Sequence, residues 1–156
     1  MSFSVDEIVF QRAKSSDVTE IVALLADDEV GRAREDPSLP LNDAYVQAFQ
    51  AMDADPNQLL AVARLGERVV GTLQLTFIPG LSRMGSWRGQ IEGVRIAAEL
   101  RGSGLGGRMF VWAIEECRRR GCSLVQLTTD RQRPDAHRFY ERLGFEASHL
   151  GYKLKL

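Results

Sequence analysis

The sequence predicts a mixed α/β layer structure, with a mostly antiparallel sheet of about six or seven strands and about four helices. Three observations carry this expectation. The chain has 156 residues, 44% hydrophobic and 26% charged, which is enough for one core without disulfide or metal staples. Residues 59–65 and 69–77, separated by Gly66-Glu67-Arg68, are apolar-rich runs that read as a hairpin of two long strands. Residues 90–129 hold a strand, a strongly periodic helix and another strand, a unit that closes as a parallel pair through a right-handed crossover. A single domain over residues 1–156 is expected.

Taken in order, residues 8–13 form a short strand, after which Asp17 followed by Glu20 resembles a capping box. Val18, Ile21, Val22 and Leu25 then give one buried helical stripe. Residues 27–41 are polar, contain Pro37 and Pro40, and read as a loop. Asn42 caps a second helix with Tyr45, Phe49 and Met52 on one face. After the hairpin and the loop 81–89, residues 90–96 form a strand whose imperfect alternation permits a bulge. Residues 105–120 make the clearest helix, with Glu115 to Arg119 and Glu116 to Arg120 as i,i+4 pairs, stopped by Gly121. A strand at 123–129 and a helix capped by Asp135 and ended by Gly144 follow, then two final strands at 145–148 and 151–156.

Charge and composition exclude several functions. Twenty basic residues against 21 acidic ones leave no broad electrostatic footprint for nucleic acid, and Arg118 to Arg120 fall where basic groups complement a helix dipole. No apolar run exceeds six residues, so no membrane span is expected. Two cysteines and a start lacking a signal pattern place the chain in a reducing cytoplasm. Cys117, Cys122, His137 and His149 make a poor zinc set, and no metal is expected. Trp87 and Trp112 read as packing residues.

The segment Arg101-Gly102-Ser103-Gly104-Leu105-Gly106-Gly107 lies between a strand and the start of the best helix. Unpaired amides at a helix N-terminus, bare of side chains, suit a pyrophosphate. Gly102, Gly104 and Gly107 also match a dinucleotide fingerprint, with Asp130 as a candidate ribose-binding acid. However, residues 97–101 separate the strand from the first glycine, and too little chain follows for a doubly wound sheet, which disfavours NAD.

Read instead as Arg-x-x-Gly-x-Gly, through Arg101, Gly104 and Gly106, the loop resembles that of the GNAT family of acetyl-CoA-dependent N-acetyltransferases. Residues 91–96 resemble the family's fourth strand, 105–120 its third helix, and Ala136 to Tyr140 with Leu143-Gly144-Phe145 its C-terminal signature. The resemblance implies a GNAT-type fold with a splayed parallel pair, acetyl-CoA as acetyl donor, and direct attack by an amine in a ternary complex. It implies that the pyrophosphate sits on Arg101, Gly102, Ser103, Gly104, Leu105, Gly106 and Gly107, and that the pantetheine arm pairs with Val94, Arg95 and Ile96. Arg133 stands where the family often has Asn.

Thioester aminolysis needs a base and an acid. Freeing the lone pair of an amine of pKa about 10 costs roughly 4 kcal/mol at neutral pH. Glu92 occupies the family's frequent base position and Tyr140 its general-acid tyrosine, the phenol being a donor for the leaving thiolate. Plainer readings are a solvent-facing strand residue for Glu92 and core packing for Tyr140. Residues 87–92 and 135–140, with Ser148 and His149, are locally similar to aminoalkylphosphonate N-acetyltransferases; Arg83 and Arg88 are candidate anchors for an acceptor's anion. The expected partners are acetyl-CoA and a small amine, with a homodimer left open. The contrasting reading is a catalytically silent acetyl-CoA sensor or assembly domain.

Overall fold

The computed structural model describes residues 4–131 and 134–156, so Arg133 lies outside the described residues. The elements are β1 (Val9–Arg12), α1 (Val18–Leu25), α2 (Glu29–Arg32), α3 (Asp43–Ala54), β2 (Gln58–Leu65), β3 (Arg68–Pro79), α4 (Ser82–Gly85), β4 (Trp87–Ile96), α5 (Leu105–Arg119), β5 (Cys122–Gln126) and α6 (Pro134–Arg142). The strands lie in the order β1-β2-β3-β4-β5. The first three pairings are antiparallel and β4–β5 is parallel, as the crossover requires. No helix among the described residues is long and apolar enough to cross a membrane.

Alternation sorts the sheet into two faces. Leu73, Leu75, Phe77 and Ile91 are buried against Met109 and Phe110 of α5, whereas Val62 and Val69 pack with Val22 and Phe49 of α1 and α3. The loop expected at 27–41 contains the single turn α2, and residues 87–89 of the expected loop already belong to β4.

Five strands, not six or seven, pair among the described residues, and 145–148 and 151–156 form no ladder. The cause of the first difference is local. Phe145 N–H bonds Tyr140 O and Gly144 N–H bonds Glu141 O, both at 3.0 Å, with Gly144 at φ 91°. This is a Schellman cap, and it turns Phe145 back onto α6, its ring 6.2 Å from that of Tyr140. Tyr152 and Leu154 further on are exposed. Alternation describes a two-faced strand without supplying the neighbour it needs.

Three electrostatic expectations are also corrected. A 3-10 turn, Ser15–Asp17, precedes α1, so Asp17 already has helical φ and ψ and its carboxylate does not cap α1. Buried Asp17 instead accepts Lys14 N–H at 2.8 Å and pairs with Arg64, while Glu20 accepts Val69 N–H at 3.0 Å. On α5 the ion pairs run i,i+3, from Glu115 to Arg118 and from Glu116 to Arg119. Asp135 lies inside α6, paired with Arg138, rather than capping it.

The approach of α5 to the sheet depends on Gly89, where an added Cβ would lie 2.3 Å from Cys117 Sγ. Burial pushes the Cys117 thiol up to about 12, with Cys122 adding to the shift, so it is an inert packing group. We expect Gly89→Ala to destabilise the fold by about 1–3 kcal/mol through overpacking. Gly107→Ala, where a Cβ meets nothing within 4 Å, should be neutral or stabilising. Thermal unfolding of the two variants checks this, and equal melting temperatures would contradict it.

Candidate active site

The β3–β4 ladder is interrupted once. Thr72 pairs with Arg95 and Gln74 with Glu92, so a two-residue step on β3 is matched by a three-residue step on β4. The extra residue makes the expected bulge, with Gly93 at φ 61°, a conformation that glycine adopts without Cβ strain. On its other side β4 pairs with β5 only from Trp87↔Cys122 to Gln90↔Gln126. Beyond that rung β5 ends while β4 continues to Ile96, so the two strands part and the β4 edge at 94–96 opens.

The open edge leads into the glycine loop. Val94, Arg95, Ile96 and Arg101 line one surface cavity of about 400 Å³ together with Asp28. Arg101 Nε donates to Ile96 O at 3.1 Å, which ties the loop to the end of β4. Ser103 Oγ donates to Leu100 O at 2.6 Å. Gly102 and Gly104 have φ of 79° and 88°, and α5 begins immediately after Gly104 with no acidic residue in its first turn. The first turn therefore carries no carboxylate of its own to compete for the positive end of the helix dipole. A Cβ on Gly102, Gly104 or Gly107 would meet nothing within 4 Å, so open space lies over these backbones. Gly106 faces α6, its Cβ position 3.7 Å from the Phe139 ring.

Acidic side chains that the sequence did not single out share this cleft. Asp28 lies 3.1 Å from Arg95 Nε and Asp27 lies 3.1 Å from Arg101 Nη2. The Arg95 Nε is buried, but its N–H is poorly aligned for a hydrogen bond. An anionic ligand fits such a set: two guanidiniums, one of them under-bonded, beside an uncovered helix N-terminus.

The proton-transfer candidates come from opposite faces. Ile91 is buried on the α5 face, so Glu92, its exposed neighbour, lies on the other. There Gln90 Nε2 donates to Glu92 Oε1 at 2.7 Å, and Gln126 Nε2 donates to Gln90 Oε1 at 2.8 Å. This amide chain escaped the sequence reading because Gln126 meets Gln90 only across the parallel rung. Tyr140 lies on the α5 side, its ring 5.6 Å from Phe110 and 5.5 Å from Phe139. The Schellman cap holds its carbonyl, so Leu143-Gly144-Phe145 positions the tyrosine that precedes it.

The remaining candidates stand apart from this cleft. Arg83 is exposed on the α4 turn, and Arg88 Nη1 lies 3.7 Å from the Cβ position of Gly80, towards the far end of β4 from Glu92. Trp112 packs on Phe10 with ring centroids 6.0 Å apart, and Trp87 packs against the α5-side core. His137 Nε2 lies 2.9 Å from Asp130 O, and His149 Nδ1 lies 2.7 Å from Ser148 Oγ.

Comparison with known proteins gives the family. Residues 19–145 match the model of the acetyltransferase (GNAT) family. The chain is 35% identical over 109 residues, 70% of each protein, to an aminoalkylphosphonate N-acetyltransferase of Salmonella typhimurium. It is 36% identical over 90 residues to a glucosamine 6-phosphate N-acetyltransferase of Trypanosoma brucei brucei, covering 57% of this chain and 58% of that one. A crystal structure described as a transcriptional regulator from Bacillus halodurans C-125 superposes with a TM-score of 0.93 at 50% identity, covering 96% of this chain and 99% of that one. With a family match over most of its length and N-acetyltransferase relatives, the chain belongs to the acetyltransferase (GNAT) family and is an acyltransferase enzyme.

Proposed function

We propose that the protein transfers an acetyl group from acetyl-CoA to the primary amine of a small molecule that carries a phosphorus oxyanion. The observation that carries the first half is the cavity on the opened β4 edge, which is also lined by Arg101, the residue that ties the start of the bare glycine loop to Ile96. In this reading the first-turn amides of α5 and Arg101 bind the pyrophosphate, and backbone groups of Val94, Arg95 and Ile96 bind the pantetheine amides as a strand would. Acetyl-CoA supplies the activated acetyl thioester. A backbone N–H released by the bulge is suited to the thioester oxygen as it gains charge. Glu92 receives the amine proton from one side of the gap, and Tyr140 donates its phenolic proton to the departing thiolate from the other. We place this activity in a reducing cytoplasm, the compartment that suits a chain with only two cysteines.

The second half draws on a chemistry that the two curated relatives share by name, an amine bearing a phosphonate or a phosphate. Arg88 is the half-buried cation on the Glu92 face, four residues away or about 13 Å along the strand. An acceptor touching both is extended, or else the Arg88 side chain swings towards Glu92.

A panel of 2-aminoethylphosphonate, glucosamine 6-phosphate, ethylamine and glucosamine, assayed by thiol release from acetyl-CoA, tests the acceptor. The phosphorus-bearing amines should exceed their uncharged counterparts by at least about tenfold in kcat/KM, the value of one charge-assisted contact. Equal values, or absence of thiol release with every amine, would overturn the acceptor class. For the acid, Tyr140→Phe should lower kcat about 10²- to 10⁴-fold while the melting shift given by acetyl-CoA persists. Full turnover in that variant would remove Tyr140 from the reaction.

A further inference from the structure

We infer that Gln90 is a positioning residue for Glu92, oriented in turn by Gln126 across the last rung of the parallel pair. This rests on Glu92 serving as the base. Gln90 and Glu92 are two apart on β4 and share a face, so the amide and the carboxylate stand side by side. The 2.7 Å bond from Gln90 Nε2 anchors Glu92 Oε1 and leaves Oε2 to meet the amine proton. A carboxamide has two unlike ends, and a reversed Gln90 would set its oxygen against the carboxylate. Gln126 opposes that reversal, because in the observed arrangement its Nε2 donates to Gln90 Oε1 at 2.8 Å and a reversal of Gln90 alone would break this bond.

The side chains facing this pair from the neighbouring strand are engaged elsewhere. Gln74 is the β3 partner of Glu92 and Thr76 that of Gln90, but both donate to Gln58 Oε1, at 2.9 Å and 3.0 Å. The anchor therefore comes from Gln90, at the rung where β4 and β5 separate. An exposed glutamate without it samples many rotamers, few of which point Oε2 across the gap.

The test is a kinetic cycle of Gln90→Met, Glu92→Gln and the double variant, using acetyl-CoA and whichever amine of the panel above turns over fastest. Gln90→Met should lower kcat about tenfold with the KM for acetyl-CoA unchanged, and should cause no further loss in the Glu92→Gln background. Losses that multiply in the double variant, or an unchanged kcat in Gln90→Met, would overturn the positioning role while leaving Glu92 as base. Full kcat in Glu92→Gln alone would overturn the base reading and this inference together. Gln126→Met, run through the same cycle with a smaller expected loss that also vanishes in the Glu92→Gln background, decides the matter if Gln90→Met does not fold.

Discussion

The cleft depends on one extra residue in β4 between Glu92 and Arg95. A strand held on both edges along its whole length offers no polar backbone to a ligand. Here β4 stays paired with β3 to its end, so it remains rigid, while its other edge loses β5 after Gln90. The bulge also changes which residues face which side, because an added residue reverses the alternation beyond it. Glu92 thus belongs to one register and Arg95 to the next. Leu25 at the end of α1 sits 4.0 Å from the Cβ position of Gly93, so the helix that follows the first strand covers the irregularity.

Charge at the cleft is balanced by pairs that are easily exchanged. Arg101 and Asp27 are each about half exposed, and such a pair contributes about 0–1 kcal/mol. The Arg95–Asp28 pair is more enclosed, yet its N–H is not well directed at the carboxylate. An oxyanion that reached these guanidiniums would displace weak partners rather than strong ones. Asp28 also accepts a hydrogen bond from Gly31 N–H at the start of α2. The junction between α1 and α2 is therefore mechanically connected to the ends of β4 and the glycine loop. Its two aspartates are the counter-charges of Arg101 and Arg95.

The parts legible in the sequence are those governed by local rules. The hydrophobic stripe and stop glycine of α5, the β2–β3 hairpin, the Asn42 cap and the broken alternation of β4 all appear where periodicity and turn chemistry put them. Misreadings arise where the partner is distant or the register is fine. Asp17 and Glu20 have capping-box spacing, but the sheet offers them Arg64 and Val69 N–H instead. The Phe145 segment has strand character that a Schellman cap overrides. Asp28 carries no signal in the sequence beyond its polarity, and the Gln126 to Gln90 bond exists only once the parallel register is set. Arg95 and Arg101 come together for the same reason, since the turn that joins them must be folded first.

Backbone amide hydrogen exchange with and without acetyl-CoA tests most directly whether this opening is the cofactor seat. Binding in the cleft predicts slowed exchange at amides within 94–96 and 102–107, with β1 and β2 unchanged. Protection that appears elsewhere and leaves both of those segments untouched would contradict the assignment.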